Sequence, residues 1–316
     1  MACLVIHGGA GTIPRASFTP GGYRAARNGL RDALRAGWAV LGQNGLALDA
    51  VQAAVVALED HPSFNAGLGA VLNAAGEHEL DAAIMDGRDR RAGAIASARH
   101  IRNPVLAARR VMEASDCVLL SAAGADAFAR EQGLAMVEQS YFTTALRQLH
   151  WQRAHEEKAG LLQRERTEAE KHGTVGAVAL DDFGNLAGAT STGGYTYKRV
   201  GRVGDAPVIG AGTYAANGVV AVSCTGLGEF FVRRGTSQDI AARIRYRGDD
   251  LANAAAAAIA DLTADGAGAG LIAVDAGGAM AMPHNTEGMY RGSVTADGVL
   301  SVGIYADDFA TVETIG

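Results

Sequence analysis

The spacing of apolar residues changes several times along the chain, and each change marks an element. Cys3 to His7 is a short apolar run ended by Gly8-Gly9, the pattern of a buried strand entering a turn. Leu30, Leu34, Trp38 and Leu41 then recur at helical spacing. Val51, Val55 and Leu58 do the same before His61-Pro62 stops a second helix. Glu79 to Met85 and Gly93 to Ser97 predict strands. Asn103-Pro104 predicts a helix start with proline in the first turn, and Val118 to Ser121 a return to strand. In the second half, strand-turn-strand patterns surround Asp182 to Asn185, Gly277-Gly278 and Asp297-Gly298, and Asp249 to Leu262 is an alanine-rich helix. Helices and strands alternate without a repeat of fixed period, so the class is α/β.

One boundary interrupts this order. From Gln148 to Lys171 the chain is dense in both charges and poor in core residues, the composition of a solvated helix or a mobile linker. Directly after it, His172-Gly173-Thr174 opens the apolar run VGAVAL.

Composition narrows the function classes. The 42 glycines against 6 prolines suit closely packed small-residue layers with tight turns. A net charge of −6, with dispersed basic residues, argues against nucleic acid and leaves small or peptidic ligands. Cys3, Cys117 and Cys224 follow no disulfide or zinc spacing, which fits a reducing compartment. The N-terminus lacks an export pattern and no apolar run reaches membrane-spanning length, so the expectation is a cytoplasmic protein without a membrane partner.

Familiar catalytic signatures are absent: there is no GxxxxGK[ST], no HExxH and no GxSxG. The loop His7-Gly8-Gly9-Ala10-Gly11 has the look of an oxyanion loop, yet without a serine elbow it reads better as a tight turn. The segment His172-Gly173-Thr174 has a clearer chemical use. If the Gly173-Thr174 bond is cut, Thr174 gains a free α-amine beside its own hydroxyl. An α-amine ordinarily titrates at about 7.7 to 8.0, so a modest downward shift makes it a general base at neutral pH. Nucleophile and base then share one residue. Taken alone, a threonine at a strand start is also explained by β-propensity.

The chain resembles the plant-type L-asparaginases, also called isoaspartyl peptidases, of the N-terminal nucleophile hydrolases. The resemblance runs through HGGAG at 7 to 11, HPSFNAGLGAVLN at 61 to 73, HELDAAIMDG at 78 to 87, RNPVLAARRVME at 102 to 113 and HGTVGAVALDDFGNLAGATSTGG at 172 to 194. It continues through GRVGDAPVIGAGTYA at 201 to 215, SCTGLGE at 223 to 229 and PHNTEGMYR at 283 to 291. It implies a four-layer αββα sandwich and a precursor cut after Gly173 into an α chain (1–173, with 148–173 as linker) and a β chain (174–316). The two chains would fold as one domain and pair as a dimer of cleaved αβ units.

The resemblance also assigns roles. Thr174 is the expected nucleophile, Thr192 its hydroxyl partner, and Thr225 with Gly226 the oxyanion site. Arg202 and Asp205 are expected to grip the substrate's α-carboxylate and α-amine, with the Gly228 carbonyl assisting at the amine and Asn65 near the nucleophile. No cofactor is expected for catalysis. A structural sodium ion is expected on the backbone carbonyls of Leu58, Glu59, His61, Phe64, Ala66 and Leu68. The implied reaction is hydrolysis of L-asparagine and of β-aspartyl dipeptides. A glycosylasparaginase and a non-catalytic amino-acid-binding protein of the same fold are the alternatives. Tyr195, Tyr197 and Leu227 depart from the commoner family pattern close to the expected pocket.

Overall fold

The structure, a computed structural model, describes residues 1–160 and 173–315. In chain order the first half contains β1 (Cys3–Gly11), α1 (Pro20–Leu41), α2 (Ala47–Glu59), β2 (Leu80–Asp86), β3 (Ala92–Ala98), α3 (Pro104–Ala114), β4 (Leu119–Ser121), α4 (Ala122–Glu131) and α5 (Ala145–Lys158). The second contains β5 (Val175–Leu180), β6 (Leu186–Thr192), β7 (Thr213–Ala216), β8 (Val220–Gly226), α6 (Gly228–Arg234), α7 (Thr236–Ala242), α8 (Leu251–Ala264), β9 (Ala269–Asp275) and β10 (Met280–Ala281). It ends with β11 (Gly288–Val294), β12 (Val299–Gly303) and β13 (Ala310–Thr314).

The periodic helices and the apolar strands form where their patterns predict, giving mixed α/β content. At Gly8-Gly9 the expected turn is instead a bulge. The register of β1 against β11 shifts between His7 and Gly9, and the strand runs on to Gly11. A bulge adds a residue without ending the ladder, and Gly9 supplies the φ of 114° at this point.

The strands form a nine-stranded sheet in the order β13-β12-β11-β1-β5-β6-β2-β3-β4 and a four-stranded sheet in the order β10-β9-β8-β7. Successive side chains of a strand face opposite ways. Leu4 and Ile6 of β1, with Val175, Ala177 and Ala179 of β5, share one apolar core with α1, α2 and α3. Cys3, Val5, Val178 and Leu180 share a second core with Tyr214 and Val222 of the smaller sheet and with residues of α8. With both faces dry, the central strands read as continuous apolar runs instead of alternating ones, although their ladder is antiparallel.

The first part of the charged stretch belongs to a docked helix. Thr144 caps α5 by accepting from the Arg147 N–H. The buried Arg147 donates Nε–H to the Gly69 carbonyl at 2.6 Å, and Trp151 donates Nε1–H to the Asn73 carbonyl at 2.7 Å. The remainder of the stretch, 161–172, lies outside the described residues. Among the described residues no helix is long and apolar enough to cross a membrane.

Candidate active site

Strands β5 and β6 pair with Val175 opposite Ser191 and Gly176 opposite Thr190, so Thr174 and Thr192 meet at the same end of the pair. Both are buried, with their hydroxyl oxygens 3.2 Å apart. The Gly173 carbonyl is the focus of this corner. It accepts from the Thr174 hydroxyl at 2.8 Å, the Thr192 hydroxyl at 2.9 Å and Asn65 Nδ2 at 2.8 Å. Asn65 is itself fixed, since Nδ2 also donates to the Gly194 carbonyl at 2.6 Å and Oδ1 accepts from the Val71 N–H at 2.9 Å. The φ of Gly173, 159°, is at the edge of extended backbone. Close packing is therefore the reason for glycine here: an added Cβ would lie 3.0 Å from Asn65 Cβ.

The proposed grip lies beside this corner. Gly194 donates its N–H to Thr192 Oγ1 at 2.9 Å, and an added Cβ on Gly194 would lie 3.4 Å from Arg202 Nη1. Gly228 sits against the same pair of charges, since its Cβ would be 2.7 Å from Asp205 Oδ1 and 2.9 Å from Arg202 Nη2. Arg202 and Asp205 are not each other's ion-pair partner. Arg202 donates Nε–H and Nη2–H to the two carboxylate oxygens of Glu229, at 2.9 Å each, and the Tyr195 ring lies 4.7 Å from the guanidinium carbon. Burial works against the Arg202 cation, but the hydrogen bonds and charge of Glu229, with the charges of Asp205 and Asp81, outweigh it and raise its pKa. Asp205 is pushed up to about 7, chiefly by burial, with Arg202 opposing. Its Oδ2 is buried without a hydrogen-bond partner. A buried carboxylate oxygen in that state is a place for a cation.

Thr225 is fully buried on β8, and its hydroxyl accepts from the Ala10 N–H at 3.3 Å. Gly226 follows with φ 144°, and a Cβ there would collide with the Gly268 carbonyl, so only glycine fits. The HGGAG strand joins the two ends of the site: Gly9 backs onto Gly173 and Thr174, with an added Cβ 3.2 Å from Gly173 Cα, while Ala10 bonds Thr225.

The loop after α2 is held by its own backbone hydrogen bonds. Gly67 adopts φ 49°, and the loop closes with the Leu68 N–H donating to the Glu59 carbonyl at 2.7 Å. Leu58 and His61 carbonyls accept from His61 and Phe64 N–H groups at 3.2 Å each. A carbonyl has two lone pairs, so the Glu59 and His61 oxygens, each accepting one N–H from the loop, keep acceptor capacity; the remaining expected ligands, Leu58, Phe64, Ala66 and Leu68, lie along the same segment. The Glu59 carboxyl turns away and accepts from the Val105 N–H at 3.0 Å. This neutral donor set fits a hard monovalent cation. No group of three or more His, Cys, Asp or Glu that could hold a metal occurs among the described residues.

The structure also brings in residues to which the sequence reading gave no role at the site. Glu229 on α6 holds Arg202. Lys198 is fully buried and donates to the Glu79 carbonyl at 2.9 Å, and Glu79 accepts from the Gly201 N–H, which ties the loop carrying Arg202 to β2. His7 bonds the Thr174 carbonyl. Only the last had a sequence signal, as a polar residue within an apolar strand. Of the departures from the family pattern, Tyr195 covers Arg202. Tyr197 takes φ 66°, hydrogen-bonds His155 at 3.2 Å and packs against Trp151. Leu227 precedes α6 and packs partly against the second core.

Comparison with known proteins identifies the family. The family profile described as asparaginase matches residues 1–304. The chain is 47% identical to the isoaspartyl peptidase of Escherichia coli over 99% of both chains. It is 48% identical to the isoaspartyl peptidase of Salmonella typhimurium over 97% of this chain and 99% of the other. It is 42% identical to the plant-type L-asparaginase of Pyrococcus abyssi over 92% of this chain and 95% of the other. By the profile match and by near-full-length identity, the chain belongs to the asparaginase family.

Proposed function

We propose that this protein is a threonine N-terminal nucleophile hydrolase that converts L-asparagine to aspartate and ammonia and cleaves β-aspartyl dipeptides. The observation that carries the reading is the position of Gly194, which bonds Thr192 on one side and lies against Arg202 on the other. This adjacency supports placing nucleophile and amino-acid grip at one site. The names of the relatives point the same way.

Maturation comes first. The Thr174 hydroxyl oxygen attacks the Gly173 carbonyl carbon, the hydroxyl proton passes to the peptide nitrogen as the C–N bond breaks, and that nitrogen becomes the new α-amine, giving an ester that water hydrolyses to free the Gly173 carboxylate and restore the Thr174 hydroxyl. Asn65 Nδ2 and the Thr192 hydroxyl, both bonded to the Gly173 oxygen, stabilise the charge that develops there. The products are an α chain of 1–173 and a β chain of 174–316.

In the mature enzyme Arg202 takes the substrate α-carboxylate, while Asp205 and the Gly228 carbonyl take the α-ammonium. The Thr174 α-amine accepts the hydroxyl proton as Oγ1 attacks the side-chain carbonyl of the substrate. Thr225 and Gly226 face the oxyanion. The tetrahedral intermediate collapses with transfer of that proton to the departing nitrogen, releasing ammonia or an amino acid. Water, deprotonated by the same amine, then hydrolyses the ester and frees aspartate. A sodium ion on the Leu58 to Leu68 carbonyls would supply fixed charge that stiffens the loop carrying Asn65.

The two apolar cores, one under the helices and one between the sheets, support the four-layer αββα sandwich for the whole fold. We further read the active form as a dimer of cleaved αβ units in the cytoplasm, for which three unpaired cysteines are suitable.

Incubation with L-asparagine and with β-aspartyl-leucine, following ammonia and leucine, tests the reading. Release from both, abolished in Thr174→Ala, is expected. Activity surviving in Thr174→Ala, or release of sugar from a glycosylated asparagine with neither of the others cut, would overturn it.

A further inference from the structure

Beneath Thr174, between the two sheets, runs a line of polar side chains that the chemistry above leaves unused. His7 is fully buried, with Nδ1 3.1 Å from the Thr174 carbonyl oxygen and Nε2 2.9 Å from Ser223 Oγ. A carbonyl can only accept, so Nδ1 carries the proton. Burial pushes the imidazole pKa down to about 3, the bond to Thr174 opposing, so the ring is neutral and Nε2 is bare. The Ser223 hydroxyl must therefore donate to it.

That assignment propagates. Ser223 Oγ and Thr190 Oγ1 are 2.7 Å apart, so Thr190 donates to Ser223. Thr213 Oγ1 lies 2.6 Å from Thr190 Oγ1 and 3.1 Å from the Ala206 carbonyl; since Thr190 already donates to Ser223, the shorter contact takes the Thr213 proton. Three hydroxyls from β6, β7 and β8 are thus oriented in one direction, towards His7. The space for the His7 to Ser223 bond exists because Gly176, opposite His7 in the β1 to β5 ladder, has no side chain. An added Cβ would run into Ser223 Oγ and lie 2.6 Å from His7 Nε2.

We propose that His7 is a positioning residue, held in one tautomer by Ser223, that fixes the Thr174 carbonyl and with it the orientation of the freed N-terminal threonine. The proposal rests on Thr174 being the nucleophile. In the precursor Thr174 is anchored by peptide bonds on both sides. Cleavage removes the N-side anchor, and the orientation of amine and hydroxyl then depends on the torsion between Cα and the carbonyl that His7 holds. His7 should therefore matter more for turnover than for maturation.

The test compares His7→Leu, His7→Asn and Ser223→Ala. Asparagine places a side-chain N–H close to the position of Nδ1, whereas leucine fills the space without a donor. The expected result is normal cleavage at Thr174 in all three, kcat reduced roughly 10- to 100-fold in His7→Leu with KM little changed, and most of kcat recovered in His7→Asn. Histidine-selective 15N NMR of the wild type should show His7 with a protonated Nδ1 and a bare Nε2 from mildly acidic to mildly alkaline pH. Unchanged kcat in His7→Leu, equal loss in His7→Leu and His7→Asn, or the opposite tautomer in the spectrum overturns the proposal. Should His7→Leu not fold, Ser223→Ala decides: reduced kcat with loss of the single tautomer supports it, and wild-type kcat sinks it. Failure of the nucleophile assignment is distinguishable, because it appears as a β chain not beginning at Thr174, whatever the tautomer.

Discussion

Arg202 holds Glu229, not Asp205: two parallel N–H···O bonds of 2.9 Å join the guanidinium to the α6 carboxylate, while Asp205 keeps one buried oxygen without a partner. The three-residue spacing of Arg202 and Asp205 suggests a pair, but the fold gives them separate work. Glu229 fixes one edge of the guanidinium and Tyr195 covers a face, while the Nη1 side points towards Gly194 and Gly204, where the proposed reaction would put the substrate carboxylate.

Glu229→Gln should therefore weaken substrate binding without disabling the chemistry. The amide keeps one acceptor but loses the charge, and Glu229 is half exposed, which limits the effect. A rise in KM of roughly 3- to 10-fold with kcat within about twofold is expected from steady-state kinetics. A fall in kcat at constant KM would mean that Glu229 acts on the reaction and not on Arg202.

Asp205 predicts a specific pH dependence. Its carboxyl is pushed up to about 7 in the free enzyme, and only the ionised form pairs with the substrate ammonium. Below that pH, protonation of Asp205 alone should lower kcat/KM by about tenfold per unit. In the complex the ammonium charge favours the carboxylate, so this limb should be missing from kcat, whereas a limb from the Thr174 α-amine appears in both. Parallel profiles of kcat and kcat/KM, with Asp205→Asn as the control lacking the first limb, check the assignment. An Asp205→Asn profile that keeps the limb unchanged would assign it elsewhere.

Asn65 should matter for maturation. Its Nδ2 is one of two donors, besides the attacking Thr174, on the Gly173 carbonyl. Removal of one oxyanion donor costs roughly 100- to 1000-fold in rate, so Asn65→Ala should accumulate as the uncut chain. Intact mass against time after purification measures this directly. Cutting as complete and as fast as in the wild type would remove Asn65 from the cleavage chemistry.

Buried titratable groups set the stability profile. His7 and His78 are lowered by burial to about 3 and about 4, from an ordinary 6.5. Below pH 6.5 the unfolded chain binds protons that the folded chain refuses, so stability falls with acid, by up to about 1.4 kcal/mol per pH unit per histidine. Glu59 acts on the other side. Burial raises it to about 8 from 4.5, so the folded state binds the extra proton and stability falls as pH rises through that window. Asp205 adds to this alkaline loss only up to about 7. Thermal midpoints should peak at about pH 5.5, where the histidine and carboxyl contributions cancel, and Glu59→Gln should flatten the decline between about 7 and 8. An unaltered decline in that variant would show that Glu59 is not its source.

Part of this protein was legible without coordinates because local spacing is physically sufficient for it. Leu30, Leu34, Trp38 and Leu41 make an amphipathic helix whatever they pack on, whereas the glycine-threonine step after a charged stretch makes Thr174 a candidate that β-propensity explains as well. Tertiary structure decided what depends on partners distant in sequence. Whether Gly8-Gly9 is a turn or a bulge depends on β11 continuing the ladder, nearly three hundred positions away. The burial of both faces of β1 and β5 requires a second sheet, whose strands β7 and β8 carry too little periodic contrast to be read locally. Asn65 converges on Gly173 across 108 positions, and His7 reaches Ser223 across 216. No window of sequence contains both partners of such a bond. Each becomes visible only once strand register and sheet packing fix which side chains face each other.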